Sequence, residues 1–222
     1  MTPSAAFLLL ADGRFPAGGH AHSGGAEAAV KAGRVHDTAS MTAFLTGRLH
    51  TTGLVAAALA ASAAAGQDTL LLDAAAEART PSPALRDTSR RLGRQLLRAA
   101  RAAWPHPELD RLAGEFPRGA HQSVVLGATA RAAGLTPAQT ASVAAYESVN
   151  GPATACIRLL GLDPYEVAAA LARLAPRLDA VADAALDAAL RGDPDELPAA
   201  SAPLLDVYAE QHRSWKVRLF AS

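Results

Sequence analysis

Residues Asp12 to Glu27, DGRFPAGGHAHSGGAE, hold five glycines, two histidines and two carboxylates in sixteen positions. His20 and His22 form an HxH pair, and imidazole is a ligand that nickel, zinc and copper accept. The pair is half a site, because three or four ligands are the norm. Asp12, Glu27, His36 and Asp37 complete it only if the fold converges them. The glycines suggest a second chemistry, the cradling of phosphate. No Lys-Ser or Lys-Thr follows them, and the GxxxxGKS/T pattern is absent from the chain, so a phosphate-binding loop is excluded. No strand pattern precedes Gly13, which argues against a dinucleotide fold. An interior glycine costs about 0.5–1 kcal/mol relative to alanine. Bare backbone here is therefore expected to serve tight turning or the close approach of another chain.

Nucleophilic chemistry finds little support. Ser23 lies between His22 and Gly24, outside any G-x-S-x-G context. Cys156 sits in the apolar run Ala155-Cys156-Ile157 with no activating cation beside it, which reads as a core thiol. No HExxH, paired-carboxylate or CxxC signature is present. Arg86, Arg90, Arg94, Arg98 and Arg101 share one helix face, opposite Leu92 and Leu96. That face is either solvated or a dock for an acidic partner. Nucleic acid is the weaker choice, since neither interleaved aromatics nor a helix-turn-helix signal accompanies the run. The C-terminus carries Trp215, Val217, Leu219 and Phe220 among cations. Such a tail is either tucked into its own core or held by a partner, and arginine with aromatics is the composition of binding hot spots.

The elements that position these residues are helical. Half of the 222 residues are hydrophobic but only 5% are aromatic, and alanine dominates, which suits closely packed helices. Helices are expected from Phe7 to Ala11, from Ser23 to Gly33, and from Ser40 to Ala65 with weak points at Gly47 and Gly53. Others run over Thr69–Arg79 and from Leu85 until Trp104-Pro105-His106-Pro107 breaks the pattern, then over Gly119–Ala133. Thr136-Pro137-Ala138-Gln139 and Asp163-Pro164-Tyr165-Glu166 are start signals, and Pro176 is expected to break or kink the helix that Pro164 opens. The expectation is an all-α, single-domain helical bundle of about eight to ten helices over residues 1–222. Lys+Arg and Asp+Glu both total 21, so net charge favours neither nucleic acid nor membrane as partner. One cysteine, no secretory signal and no apolar run of membrane length point to a soluble cytoplasmic protein.

Several of these stretches, in this order, resemble the urease accessory protein F (UreF) family. Leu8-Leu9-Leu10 precedes Pro16-Ala17-Gly18-Gly19-His20-Ala21-His22-Ser23-Gly24-Gly25-Ala26-Glu27, and Gly33-Arg34-Val35-His36-Asp37 follows. Near the other end, Pro203-Leu204-Leu205-Asp206-Val207 leads to His212 and then Arg218-Leu219-Phe220-Ala221-Ser222. Gly119 to Gly127 and Asn150 to Leu162 look like two central helices of the family. The chain departs from the family at His20 and Ala21, where an aromatic residue and serine are usual, and at Gly161-Leu162. The resemblance implies a non-enzymatic maturation factor that dimerises and binds the D (or H) accessory subunit. The assembly recruits the GTPase G subunit and delivers nickel to apo-urease. It also implies no tightly bound cofactor here, with GTP on the partner GTPase. Partner-binding residues carried over are Gly18, Gly19, Ser23, Gly24 and Glu27 in the glycine segment, and His212, Arg218, Leu219, Phe220 and Ser222 in a partner-binding C-terminal tail, residues 203–222, to which the tail's own composition adds Trp215. Arg90, Arg94 and Arg98 are the candidate dock for the GTPase, and His20 with His22 the candidate nickel ligands.

Overall fold

The computed structural model describes residues 5–220, apart from the side chain of His20. Among them the fold is helical, with no strand. The helices are α1 (Ala5–Ala11), α2 (Ala26–Lys31), α3 (Thr38–Arg48), α4 (Leu54–Ala64), α5 (Thr69–Ala78), α6 (Pro83–Ala103), α7 (Pro107–Glu115), α8 (Gln122–Ala132), α9 (Pro137–Leu160), α10 (Pro164–Leu190) and α11 (Pro203–Arg213). Short 3-10 turns lie at Gly19–Ala21 and Pro194–Glu196.

The sequence LVAAALAASAA makes α4 the centre of the molecule. It is buried at every position from Ala57 to Ala64 and packs against α8, α9 and α10. Alanine on every side lets those helices come close, and one contact requires glycine. A β-carbon on Gly127 of α8 would lie 2.5 Å from the Ala63 β-carbon and nearer still to the Ala60 carbonyl oxygen. The two long helices begin where the start signals stand. Thr136 Oγ1 accepts from Gln139 N and Thr136 N donates to Gln139 Oε1, while Asp163 Oδ1 accepts from Tyr165 N. Gly161, at φ +67°, closes α9 in the left-handed region.

Four expectations change. The helix expected from Ser40 to Ala65 starts at Thr38, where Asp37 accepts from Ser40 N, and it does not break. It passes through a π turn at Leu49–Gly53, where Gly53 packs so tightly on α9 that a β-carbon would meet Ser148 Oγ at 2.7 Å. Pro176 neither stops nor divides α10. Pro176 and Ala172 are both exposed, so water can serve the carbonyl that the proline leaves without a donor. The segment Trp104–Pro107 ends α6 but also opens α7, since His106 Nδ1 accepts from Glu108 N and Pro107 takes the first helical position. Much of the expected tail is a regular helix, α11.

Candidate functional site: a C-terminal strap over the glycine segment

The glycine segment is shaped chiefly by its own chain. Gly18, Gly24 and Gly25 have φ of +80°, +57° and +90°, values that favour glycine. A β-carbon on Gly24 would lie 2.9 Å from Pro152 Cγ of α9, and one on Gly25 would lie 2.9 Å from Leu205 Cδ2 of α11. Gly18 is closed off by Gln95 of α6, whereas Gly19 faces open space. Ser23 is fully buried.

Arg48, the last residue of α3, ties this region together. Pro152 has no N–H, so the Ser148 carbonyl one turn earlier loses its helical donor. Arg48 Nε donates to that carbonyl at 2.8 Å, and Nη1 donates to the Gly24 carbonyl at 2.9 Å. Burial pushes the guanidinium down to about 10, which leaves it charged at neutral pH.

Above this floor sits the C-terminal segment. Carboxylates on α11 cap the start of α6: Ser82 N donates to Asp206 Oδ1 at 3.1 Å, and Ser82 Oγ and Ala84 N donate to Glu210 Oε1 at 2.6 and 2.8 Å. So placed, α11 delivers His212, 1% exposed, to Glu27 of α2, 7% exposed. His212 Nε2 lies 2.8 Å from Glu27 Oε2; Leu219 N donates to Oε1 at 2.8 Å and Phe220 N to Oε2 at 3.1 Å. Burial raises the Glu27 pKa, but the Leu219 amide, the His212 ring and the Phe220 amide outweigh it, and the carboxyl titrates below its ordinary value. An ionised carboxylate only accepts, so His212 Nε2 donates to it. The His212 and Trp215 rings meet at 4.7 Å, and Lys31 Nζ stands 3.7 Å over the Trp215 ring. The Arg158 guanidinium stands 5.7 Å from the Phe220 ring. Phe220 is buried, while Val217 and Leu219 are 81% and 74% exposed, and Lys216 and Arg218 are exposed between them.

Of the residues expected to meet partners, Glu27, His212, Trp215 and Phe220 are thus brought together, but on one another, while Gly24 lies against Arg48 and Pro152. Arg218 and Leu219 stay accessible, and Ser222 lies outside the described residues. Sequence reasoning missed Arg48, Lys31, Asp206 and Glu210. Pro152 inside a helical pattern is the signal that a donor from elsewhere must reach Ser148.

The arginine face is divided. Arg90 Nη2 donates to Asp73 Oδ2 and Glu77 Oε2 at 3.0 and 2.7 Å, and Nη1 to the Gly119 carbonyl at 2.8 Å. Arg86 pairs with Glu77 at 3.1 Å, Arg101 with Asp110 at 2.7 Å, and Arg94 donates to the Arg118 carbonyl. Arg98 is exposed. Arg90 is therefore an internal tie, and the same network holds His121, 1% exposed. Its N–H donates to Asp73 Oδ1 at 2.7 Å, and Nε2 lies 2.9 Å from Glu77 Oε2. Burial lowers the His121 pKa and keeps the ring neutral, so Nε2 donates and Nδ1 accepts from Ser89 Oγ at 3.1 Å.

The nickel-ligand pair falls partly outside view, since the His20 side chain is not among the described atoms. His22 is half-buried. Among the described residues no three His, Cys, Asp or Glu side chains converge as metal ligands. Cys156 is buried, and burial pushes its thiol up to about 11, far from a reactive thiolate. No helix among the described residues is long and apolar enough to cross a membrane.

Among the described residues the helices are tied by internal polar networks, and the apolar and cationic residues of a terminal strap are left accessible. A family model described as UreF matches residues 35–175. The chain is 46% identical over 223 residues to the urease accessory protein UreF of Mycobacterium sp. (strain JLS) and 45% identical over 229 residues to that of Mycolicibacterium vanbaalenii. It is 40% identical over 225 residues to the protein of that name from Mycobacterium tuberculosis (strain H37Rv), and in all three cases the whole of both chains is covered. The chain belongs to the UreF family of urease accessory proteins. It is an accessory protein and not an enzyme.

Proposed function

We propose that this chain serves urease maturation as a scaffold that binds the D/H accessory subunit through its C-terminal strap and, with it, recruits and regulates the GTPase G subunit for nickel insertion into apo-urease. The observation that carries this reading is the strap itself. Phe220 is inserted into the body while Val217 and Leu219 remain exposed beside Lys216 and Arg218. Apolar side chains presented on an anchored segment among cations suit a partner surface that is apolar and rimmed by carboxylates. GTP belongs to the partner, nickel is the cargo of the assembly, and the scaffold works as a homodimer in the cytoplasm. Arg98 and the accessible part of the α6 face are the side offered to the GTPase.

Removing Arg218 to Ser222 tests the reading. The truncated chain is expected to keep its helical circular dichroism and to lose co-purification with the D/H subunit. Co-purification at the full-length yield would overturn it.

A further inference from the structure

The cations of α6 divide by what answers them. Arg86, Arg90 and Arg101 each meet a carboxylate, of Asp73, Glu77 or Asp110, at 2.7 to 3.1 Å. Arg91, Arg94 and Arg98 stand three and four residues apart on the exposed face of the helix. Their partners are neutral: Arg91 Nη2 donates to Thr88 Oγ1 at 2.9 Å, and Arg94 donates to the Arg118 carbonyl. Among the described residues no carboxylate pairs with these three, nor with Arg118, which is exposed on the turn after α7. Glycine brings that turn to α6. Gly93 leaves no room for a β-carbon beneath the Ala120 carbonyl, and Gly119, at φ +90°, would set one 2.5 Å from the Arg90 carbonyl oxygen. The helix itself is firm, with Ser82 capping its start and Leu92, Leu96, Leu97 and Ala100 buried on its other side. Asp87, one turn before Arg91, and the Arg101–Asp110 pair bound the patch.

We propose that Arg91, Arg94, Arg98 and Arg118 act as one cationic dock for a carboxylate-rich face of the GTPase subunit. This rests on the reading that the α6 side meets the GTPase, and it adds which side chains do so and what they recognise. Arg86, Arg90 and Arg101 are neutralised within the fold and project little field outward. The other four hold their positive charge in water, on two elements packed against each other. A guanidinium takes a carboxylate through two parallel N–H donors, so such a set selects acidic side chains by geometry as well as by charge. No large apolar side chain is exposed among them. Contact there is therefore held by charge, which forms fast and weakens with salt. That suits a partner that is recruited and then released. No exposed aromatic lies among the four for bases to stack on, which favours protein over nucleic acid.

Titration of the purified GTPase subunit, at low and at high salt, against the assembly of the full chain with the D/H subunit tests this. The variant is the pair Arg98→Glu and Arg118→Glu. The control is the pair Arg173→Glu and Arg177→Glu, which makes the same change of charge at exposed positions of α10. At low salt the first pair should weaken GTPase binding by roughly tenfold or more and lose much of its salt dependence, while the second binds as the unaltered assembly does. The thermal midpoint should hold in both. Arg98→Ala removes one charge without reversing it, and carries the test through a smaller loss if the double variant does not fold. Equal affinity for the first pair and the unaltered assembly would overturn the dock while leaving GTPase recruitment intact. An equal loss in the α10 pair would show a general effect of charge and would also overturn it. A DNA duplex retained by the unaltered chain and lost in the first pair, with GTPase affinity unchanged, would assign the face to nucleic acid instead. Should the GTPase not bind the unaltered assembly, the recruitment reading fails and this proposal with it.

Discussion

Arg48 answers two needs with one side chain. It gives Ser148 back the donor that Pro152 removes, and it closes the Gly24 turn. Its partners lie 100 and 24 residues away in sequence, so the pattern that exposed the glycines could not expose the residue that fixes them. Arg48→Met would leave two carbonyls without donors in a packed region. It is expected to lower stability by about 2–4 kcal/mol in urea unfolding, and a loss below about 0.5 kcal/mol would mean that water serves those groups instead. Glu147 on α9 is half-buried, and burial pushes its carboxyl up to about 7. A carboxyl raised in the folded state costs nothing below its unfolded value. It becomes a growing cost as pH rises toward the folded value and a full cost above it. Glu147→Gln is thus expected to stabilise the protein by about 1–3 kcal/mol at pH 8 and by much less at pH 5. Equal gains at the two pH values would contradict the assignment. Glu27 titrates in the other direction, below its ordinary value, so its contribution is present at neutral pH and is lost as acid protonates it.

At the scale of elements, the signals that were legible are local. Thr136 with Gln139 and Asp163 act within a turn or two of themselves, and each marks a helix start in the structure. The misjudged places depend on surroundings. A proline need not interrupt a helix where the stranded carbonyl lies on an exposed stretch, as at Pro176. The π turn at Leu49–Gly53 follows from packing against α9, which no propensity encodes. The five arginines of α6 share a face by period, but the loop at Gly119 and the acids of α5 decide which are internal ties. α8 lies so near α4 that a β-carbon on Gly127 would meet Ala63 Cβ at 2.5 Å. Gly127→Ala should force these helices apart and cost about 1–3 kcal/mol, read as a fall in the thermal midpoint. An unchanged midpoint would show that α8 is not held so near.

For the whole molecule, the central helix α4, the glycine turn and α11 form a rigid seat for a short terminal strap. The two ends of the chain were recognisable in the sequence as one family's motifs. That they lie on each other was not, because nothing in either motif says that Glu27 accepts from Leu219 and Phe220 across more than 190 residues. The strap leaves Val217 and Leu219 in water beside Lys216 and Arg218. The central claim is that this ridge is where the D/H subunit docks. The most direct test is a calorimetric titration of that subunit against the full chain and against Leu219→Asp, a change at a side chain 74% exposed that leaves the Leu219 amide in place. The account predicts affinity weaker by about tenfold or more, equivalent to about 1.4 kcal/mol, with an unchanged thermal midpoint. Equal affinity for the two chains would contradict it.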